Sequence, residues 1–294
     1  MLHFHTYAIS PKKSTFLILF LVCLLNLTSQ NGLENIIVEK YYVSSANDTA
    51  DRRLSGFLPI GSTTYRIFVD MKPGYRFYSA YGKKGHELRI QTTTLFFNNE
   101  DLGNSISNVI PRRNLREGTL MLDSWLSAGM AGENSYGVLK EQDDNVETIV
   151  HDKLFLQNTD PSAGIPVKDR DGLLLSTVEP FPVLFGIDSL ATSVFFRQTK
   201  GGLFSTTNGA WGCLGGSVGP DSLTTNRVLI AQLTTDGDLS FELNIQIGKP
   251  DGTLEFYVAK KPIPQLETSL PCLTYNSRAT KLNVAKNKKP NNKK

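Results

Sequence analysis

The segment NRVLIAQLTTDGDLSFELNIQIG, residues 226–248, limits the fold more than any other part of the chain. After Asp236-Gly237, apolar residues occupy every second position from 239 to 247, a period of two that fits a strand and no helix. Asp-Gly is a preferred two-residue loop of type I′ hairpins, because both residues tolerate positive φ. The segment therefore predicts a β-hairpin within a sheet, with Gln232 opposite Phe241.

Further strand patterns recur along the chain, separated by turns rich in Gly, Pro, Asn and Asp. They cover residues 36–43, 63–71, 75–81, 87–97, 119–128, 193–196, 202–205, 210–214 and 255–259. In residues 63–71, Tyr65, Ile67 and Val69 fall on one face, whereas Arg66 and Asp70 fall on the other. Pro180 and Pro182 place any strand of residues 173–190 at a sheet edge. The chain lacks a long helical stripe, so we expect an all-β fold, an antiparallel β-sandwich or jelly-roll-like domain over residues 31–260 with long irregular loops.

The first thirty residues have the composition of a secretory signal peptide. Lys12 and Lys13 precede an apolar run over residues 16–25, which ends in small polar residues. A membrane span needs about 20 apolar residues, so a permanent anchor is the less favoured alternative. We expect residues 1–30 to be removed and the mature chain, without a transmembrane segment, to be secreted or held at the cell surface.

Charge is distributed unevenly between the body of the chain and its C-terminal end. Residues 31–277 contain 22 lysines and arginines against 28 aspartates and glutamates, a net charge of −6, whereas residues 278–294 contain seven basic residues and no acidic one. The final segment has no aromatic residue and no apolar periodicity. Residues 261–294 are therefore predicted to be a disordered basic tail, without a specific nucleic-acid partner.

Two cysteines remain after the leader, Cys213 and Cys272. In an oxidising compartment they can form one disulfide, which in the chain-entropy model stabilises the fold by about 4 kcal/mol. The alternative is a pair of unpaired thiols, with Cys213 in a strand. Neither cysteine belongs to a zinc-binding cluster.

Signatures of catalysis are incomplete. Residues 215–219 match the GxSxG pattern of serine hydrolases, but no histidine follows His151 to act as the base. His86 and His151 are expected on surface loops. A glycoside hydrolase needs two suitably spaced carboxylates, and the candidates near strands are Glu100, Asp101, Asp123, Glu133 and Glu242.

Two kinds of ligand site are suggested by residue type. Trp125, Trp211 and Tyr75 are candidates for a sugar-stacking platform, although aromatic residues in strands more often belong to the core. Asp169 and Asp171, in the sequence DRDG, are candidates for a loop-bound calcium ion, although calcium needs six to eight oxygen ligands and the loop supplies fewer. We expect no other cofactor.

Four segments carry a resemblance to a known group of domains. Residues 63–82, 88–104, 120–129 and 226–248 resemble a secreted β domain found in exported and surface proteins of marine Bacteroidota. The resemblance implies export and a β architecture, and transfers no catalytic residue. Members of that group often end in a type IX sorting domain. The last residues of this sequence are instead rich in Lys and Asn.

These observations favour an exported, non-enzymatic β module with a structural, adhesive or glycan-binding role, whose partners are polysaccharide or other surface proteins. The alternative is a carbohydrate-active hydrolase that uses a pair of carboxylates.

Overall fold

A computed structural model describes residues 31–44, 58–115, 117–143, 170–187 and 189–279. The described residues form an all-β fold, as predicted, in which sixteen strands build four sheets and every pairing between these strands is antiparallel. All strands belong to the second of two units, residues 32–294. The predicted leader, residues 1–30, lies outside the described residues.

The strands follow one another with long irregular connections, as the turn composition predicts. Their bounds are β1 (Leu33–Val43), β2 (Thr63–Met71), β3 (Arg76–Gly82), β4 (Leu88–Thr92), β5 (Trp125–Leu126), β6 (Met130–Gly132), β7 (Ser135–Gly137), β8 (Leu173–Leu175), β9 (Pro182–Phe185), β10 (Leu203–Thr206), β11 (Gly209–Ser217), β12 (Asn226–Thr235), β13 (Leu239–Glu242), β14 (Ile245–Gly248), β15 (Leu254–Tyr257) and β16 (Thr274–Asn276). Sheet 1 has the order β1-β2-β12-β5, and sheet 2 has the order β10-β4-β13-β16. Sheet 3 has the order β15-β14-β3-β11-β9, with the proline-containing β9 at its edge as predicted, and sheet 4 has the order β6-β7-β8.

Helical structure in the described residues is confined to short segments, among them residues 277–279 at the C-terminal end of the described part. One short α-helix spans Ser189–Thr192, and 3₁₀ turns span Ser107–Val109, Arg112–Asn114, Leu120–Leu122, Lys140–Gln142, Ser193–Phe195 and Pro271–Leu273. Two of these turns occupy segments in which the sequence predicts strands, residues 119–128 and 193–196. The first of those segments retains only the two-residue strand β5.

Sheet 1 is covered by apolar residues on both faces. Ile67 and Val69 of β2 belong to a large core that also receives side chains from sheets 2 and 3. Phe68, which points to the opposite face of the same strand, belongs to a second core with Leu229 and Trp125. The central strands of sheet 1 therefore lie between two apolar layers.

The predicted hairpin over residues 226–248 is wrong, although the burial pattern behind it is confirmed. Strand β12 pairs with β2 and β5 in sheet 1, whereas β13 pairs with β4 and β16 in sheet 2. The residues at 239, 241, 243, 245 and 247 are all buried. The turn at Asp236-Gly237 thus connects two different sheets, and its two strands do not pair with each other.

A glycine is needed at position 237 because neighbouring side chains approach its backbone closely, and not because its φ is positive. Neither Asp236 nor Gly237 has positive φ, so the turn is not type I′. A Cβ at position 237 would lie 2.5–2.7 Å from the hydroxyl oxygens of Thr92, Thr93 and Thr94. These threonines hold the turn, because the Thr94 hydroxyl donates to Asp236 Oδ1 at 2.5 Å and the Asp238 N–H donates to Thr93 Oγ1 at 2.8 Å.

The predicted start of the basic tail at residue 261 is wrong. Strand β16 pairs with β13, and Leu273 is fully buried in the large core. The chain therefore remains part of the folded unit through residue 279, and residues 280–294 lie outside the described part.

A buried ion cluster attaches the segment after β15 to the turn between β3 and β4. The Glu267 carboxylate accepts hydrogen bonds from Lys83 Nζ and from the Ile263 N–H at 2.8 Å, and its Oε2 lies 3.2 Å from His86 Nε2. The other ring nitrogen of His86 lies 3.2 Å from the Lys260 carbonyl oxygen. His86 is therefore buried in this cluster, which corrects the expectation of a surface loop, while His151 lies outside the described residues.

Replacing Glu267 with glutamine is expected to lower the free energy of unfolding at neutral pH by about 1–3 kcal/mol. Burial raises the pKa of Glu267, but the Lys83 and Ile263 hydrogen bonds and the charges of His86 and Lys83 lower it more, so the net pKa lies below the ordinary 4.5. A lowered folded pKa stabilises the fold above the unfolded pKa, and this stabilisation is lost as the pH falls below about 4.5. Urea unfolding of wild type and variant at pH 7 and pH 3.5 measures the difference, which should shrink at the lower pH.

Glu87→Gln is the matched control, because Glu87 lies on the same turn region with its side chain 44% exposed. Its effect should stay within about 0.5 kcal/mol. A Glu267→Gln difference that is independent of pH would contradict the assigned pKa direction.

Candidate functional site

The outer face of sheet 2 presents two rows of polar side chains to solvent. Alternation within each strand sends Leu88, Ile90, Leu239 and Phe241 into the core, and the intervening residues outward. Across β4, β13 and β16 the register places Gln91, Ser240 and Asn276 in one row and Arg89, Glu242 and Thr274 in the other.

These rows line a shallow groove of about 450 Å³, here called the polar groove. It is lined by Arg89, Gln91, Ser240, Phe241, Glu242, Lys260, Thr274, Tyr275 and Asn276. Phe241 and Tyr275 are cross-strand partners whose side chains point to the inner face, where the Tyr275 ring stacks on buried Phe241 with centroids 5.3 Å apart. The surface of the groove is therefore formed mainly by hydrogen-bonding side chains.

The charged groups of the polar groove are held in pairs. Lys260 Nζ lies 2.5 Å from Glu242 Oε1, and the Arg89 guanidinium donates to Gln91 Oε1 from Nε at 2.9 Å and from Nη2 at 2.6 Å. Arg89 also lies 3.6 Å from Glu87. Exposed pairs of this kind stabilise a protein by about 1 kcal/mol or less, so a ligand can compete for their hydrogen-bonding groups.

No protein-family model, curated protein or solved structure matches this chain. The function therefore has to be inferred from the chemistry of its surface. In the described part of the chain, no helix has the length and apolarity needed to cross a bilayer.

The predicted aromatic platform of Trp125, Trp211 and Tyr75 is wrong. Both tryptophans are buried, Trp125 in the second core and Trp211 in the large core. The Trp211 indole N–H donates to two backbone carbonyls, which fixes it as an interior residue. Tyr75 is half-buried and packs against the large core, and a Cβ on Gly32 would lie 2.0 Å from its ring.

The predicted calcium ligand Asp171 does not fit a cation site. Its Oδ1 accepts the Leu173 N–H at 2.9 Å, and the neighbouring Gly172 carbonyl accepts a hydrogen bond from the Arg66 guanidinium at 2.9 Å. A buried guanidinium at this position disfavours a second cation. The described residues contain no cluster of three or more His, Cys, Asp or Glu that could hold a metal, and Asp169 lies outside them.

The predicted disulfide is not formed, because Cys213 and Cys272 are both free thiols. Cys213 lies in β11, and Cys272 lies in the 3₁₀ turn before β16. Burial raises the pKa of both thiols; nearby Arg76 partly opposes this at Cys213, and the Ile36 N–H does so at Cys272.

The candidate carboxylates lie in different surroundings. Asp123 is fully buried and accepts the N–H groups of Asn99 and Asn104, each at 2.8 Å. Burial raises the pKa of Asp123 well above 3.8, although these N–H groups act in the opposite direction. Glu100 pairs with Lys200 at 2.8 Å, and Glu133 lines a different cleft. Of the candidates, Glu242 alone lines the polar groove.

The sequence alternation identified only part of this groove. Ser240 and Glu242 were expected on the wet face of their strand, and they are there. The same alternation also placed Asn244 on that face, but Asn244 is buried, and its side-chain amide donates to the carbonyls of Tyr81 and His86. The β16 residues were missed because they lie in the segment predicted to be a tail.

Proposed function

We propose that this protein is an exported, non-enzymatic binding module that holds a polysaccharide along the polar groove of sheet 2. The observation that carries the proposal is the pair of polar rows formed by β4, β13 and β16. Export is supported by the leader-like composition of residues 1–30. An adhesive or structural role in the extracellular matrix follows if the polysaccharide belongs to a cell surface.

The side chains of the groove suit sugar hydroxyls, which both donate and accept hydrogen bonds. Arg89 supplies donors, Glu242 supplies acceptors, and the Gln91 and Asn276 carboxamides supply both. Neighbouring strands lie about 4.8 Å apart, so the rows, which cross three strands, extend about 10 Å across the sheet. This extent suits a short stretch of a sugar chain.

Binding without hydrolysis is favoured because the groove is lined by one carboxylate. Glycoside hydrolysis uses two carboxyl groups, about 5–5.5 Å apart in retaining enzymes and about 6.5–9.5 Å apart in inverting ones. Glu242 is already engaged by Lys260, whose Nζ lies 2.5 Å from its Oε1.

Arg89→Ala is expected to weaken polysaccharide binding by about 10- to 100-fold, because a hydrogen bond from a charged group contributes about 1.5–3 kcal/mol. Pull-down on insoluble cellulose, chitin and alginate identifies the polymer, and titration with its soluble oligosaccharides gives the affinity. Arg113→Ala is the matched control, because this exposed arginine lies outside the groove and should leave binding unchanged.

Circular dichroism confirms that both variants are folded. Failure of the wild type to bind any of the polymers, or equal binding by Arg89→Ala, would contradict the proposal. Release of reducing sugar that Glu242→Gln abolishes would support the hydrolase instead.

A further inference from the structure

A second cleft, of about 430 Å³, lies where strands of sheets 3 and 4 come together, and is here called the junction cleft. One wall is formed by residues 174–178 and Pro180, and the other by residues 216–220 and Ser222. Arg76 of β3 and Tyr136 of β7 complete the lining. The lining shares no residue with the polar groove, so the junction cleft is a separate place on the molecule.

A bulge in β11 shapes one wall of the junction cleft. The register of β11 against β3 shifts between Gly212 and Ser217, so extra residues loop out of the sheet. Gly215 and Gly216 both have positive φ, at 78° and 74°. A Cβ at Gly216 would also lie 2.8 Å from Arg76 Cβ, so a glycine is needed there on both grounds.

The two walls are tied together beneath the opening. The Tyr136 hydroxyl donates a hydrogen bond to the Val218 carbonyl, which connects β7 of sheet 4 with the loop after β11. Arg76 Nη1 donates to the Gly216 carbonyl at 3.2 Å. Arg76 is therefore held against the wall of residues 216–220.

Apolar side chains dominate the mouth of the junction cleft. Val178 is 70% exposed and Leu175 is 49% exposed, and Pro180 and Pro220 line the same cavity. Apolar surface concentrated at a concave site with a few polar groups is typical of small-molecule binding sites.

Arg76 is the charged residue of the lining, and it has no carboxylate within 4.0 Å among the residues that the structure describes. The acids adjacent in sequence to the walls have other partners. The Glu179 carboxylate accepts the Asn134 N–H, and the Asp221 carboxylate accepts the hydroxyls of Thr224 and Thr225. The exposed guanidinium therefore gives the cleft a positive end.

The wall also contains a hydroxyl whose hydrogen-bonding capacity is unused. Ser217 lines the junction cleft, and its buried Oγ has no hydrogen-bond partner in the described structure. Buried polar groups normally have a partner, so the wall of the cleft contains an unsatisfied hydroxyl just behind its surface.

We infer that the junction cleft binds a small organic carboxylate with an aliphatic chain, its carboxylate on Arg76 and its chain between the apolar walls. A guanidinium matches a carboxylate in both charge and geometry. The volume corresponds to about 14 water-sized groups at about 30 Å³ each. Decanoate, with a comparable number of non-hydrogen atoms, is the probe of suitable size.

The test is a titration of the ¹⁵N-labelled protein with decanoate and with decanol, both below micelle-forming concentrations. Decanoate should saturate shifts of the backbone amides on both walls, residues 174–178 and 216–219, and bind more tightly than decanol. Arg76→Gln should weaken decanoate binding about tenfold and leave decanol binding unchanged, because the guanidinium charge attracts only the carboxylate.

Two further variants test whether both probes bind in the junction cleft. Val178→Asp should weaken both probes, since it places a like charge and a polar group at the apolar mouth. Arg89→Gln, in the polar groove, should change neither. Absence of saturable shifts with decanoate, equal affinity for decanol, or wild-type decanoate binding by Arg76→Gln would overturn the inference.

Discussion

Replacing Arg66 with alanine is expected to lower the free energy of unfolding by about 3–5 kcal/mol, a large part of the stability of an ordinary domain. The Arg66 side chain is 1% exposed. Its Nε donates to Gln232 Oε1 at 3.0 Å and its Nη1 donates to the Gly172 carbonyl at 2.9 Å. The guanidinium also lies 3.7 Å from the ring centroid of Tyr41. The substitution therefore leaves buried acceptors without donors and opens a cavity in the second core.

The Arg66 network connects strands and loops that are distant in sequence. Gln232, which accepts from Arg66, donates from its own amide to the carbonyls of Met121 and Asp123 at 2.9 Å and 2.8 Å. Gly172, the other acceptor, donates its N–H to Asp143 Oδ2 at 2.9 Å. Loss of Arg66 should therefore loosen the loops that cover the outer side of sheet 1.

Urea denaturation of Arg66→Ala and Arg66→Met separates the two contributions. Methionine fills more of the space but supplies no donor, so Arg66→Met should recover only the part of the loss that is due to the cavity. Arg113→Ala, which removes an exposed arginine, should change the stability by less than about 0.5 kcal/mol. A loss below about 1 kcal/mol for Arg66→Ala would show that the buried network is dispensable.

Arg66 is a residue whose burial could not be predicted from the alternation of apolar and polar residues in its strand. The pattern of residues 63–71 correctly places Tyr65, Ile67 and Val69 in the core, and the bounds of β2 agree with it. It places Arg66 on a wet face, because a period of two distinguishes only two sides of a strand. Sheet 1 has apolar layers on both sides, and most residues of the second layer come from the segment 110–139, about 40 to 70 positions further along the chain.

Burial in residues 239–247 could be predicted from sequence, but the pairing of β12 and β13 could not. The apolar side chains are buried whether the strand lies beside β12 or beside β4, so periodicity does not distinguish the two arrangements. In the folded chain, the backbone at Gly237 lies so close to three threonines more than 140 residues earlier that there is no room for a Cβ. These contacts cannot be predicted from an Asp-Gly dipeptide in the sequence.

The polar groove could not be predicted as a unit for a similar reason. Its walls come from residues 89–91, 240–242 and 274–276, which are brought together only by the order of strands in sheet 2. No local motif links them. The basic composition after residue 277 also concealed β16, since a strand of three residues is too short to produce a clear period.

Replacing Trp211 with alanine is expected to destabilise the protein by about 3–5 kcal/mol, the usual effect of removing a buried aromatic side chain. Trp211 is fully buried in β11, and its ring meets Phe204 edge-on with centroids 5.9 Å apart. Its indole N–H lies 3.2 Å from the carbonyl oxygens of Ser127 and Ile230. Because Ile230 belongs to β12, Trp211 links sheet 3 to sheet 1 and should matter for cooperativity as well as for stability.

Leu214→Ala, three positions further along the same strand, is the matched control. Leu214 is 72% exposed, so its truncation should change the free energy of unfolding by less than about 0.5 kcal/mol. Trp211→Phe, which keeps most of the ring volume but removes the donor, should lose about 1–3 kcal/mol. Trp125 remains in all three variants, and its fluorescence reports the unfolding transition during denaturation.

The Trp211→Phe variant also tests whether Trp211 contacts the ligand. An interior residue contributes to ligand affinity only by maintaining the fold, so the folded Trp211→Phe protein should bind polysaccharide with wild-type affinity. Arg89→Ala should show the opposite behaviour, with unchanged stability and weakened binding. If folded Trp211→Phe lost binding, Trp211 would have to contact the ligand, and the polar groove would not be the binding site.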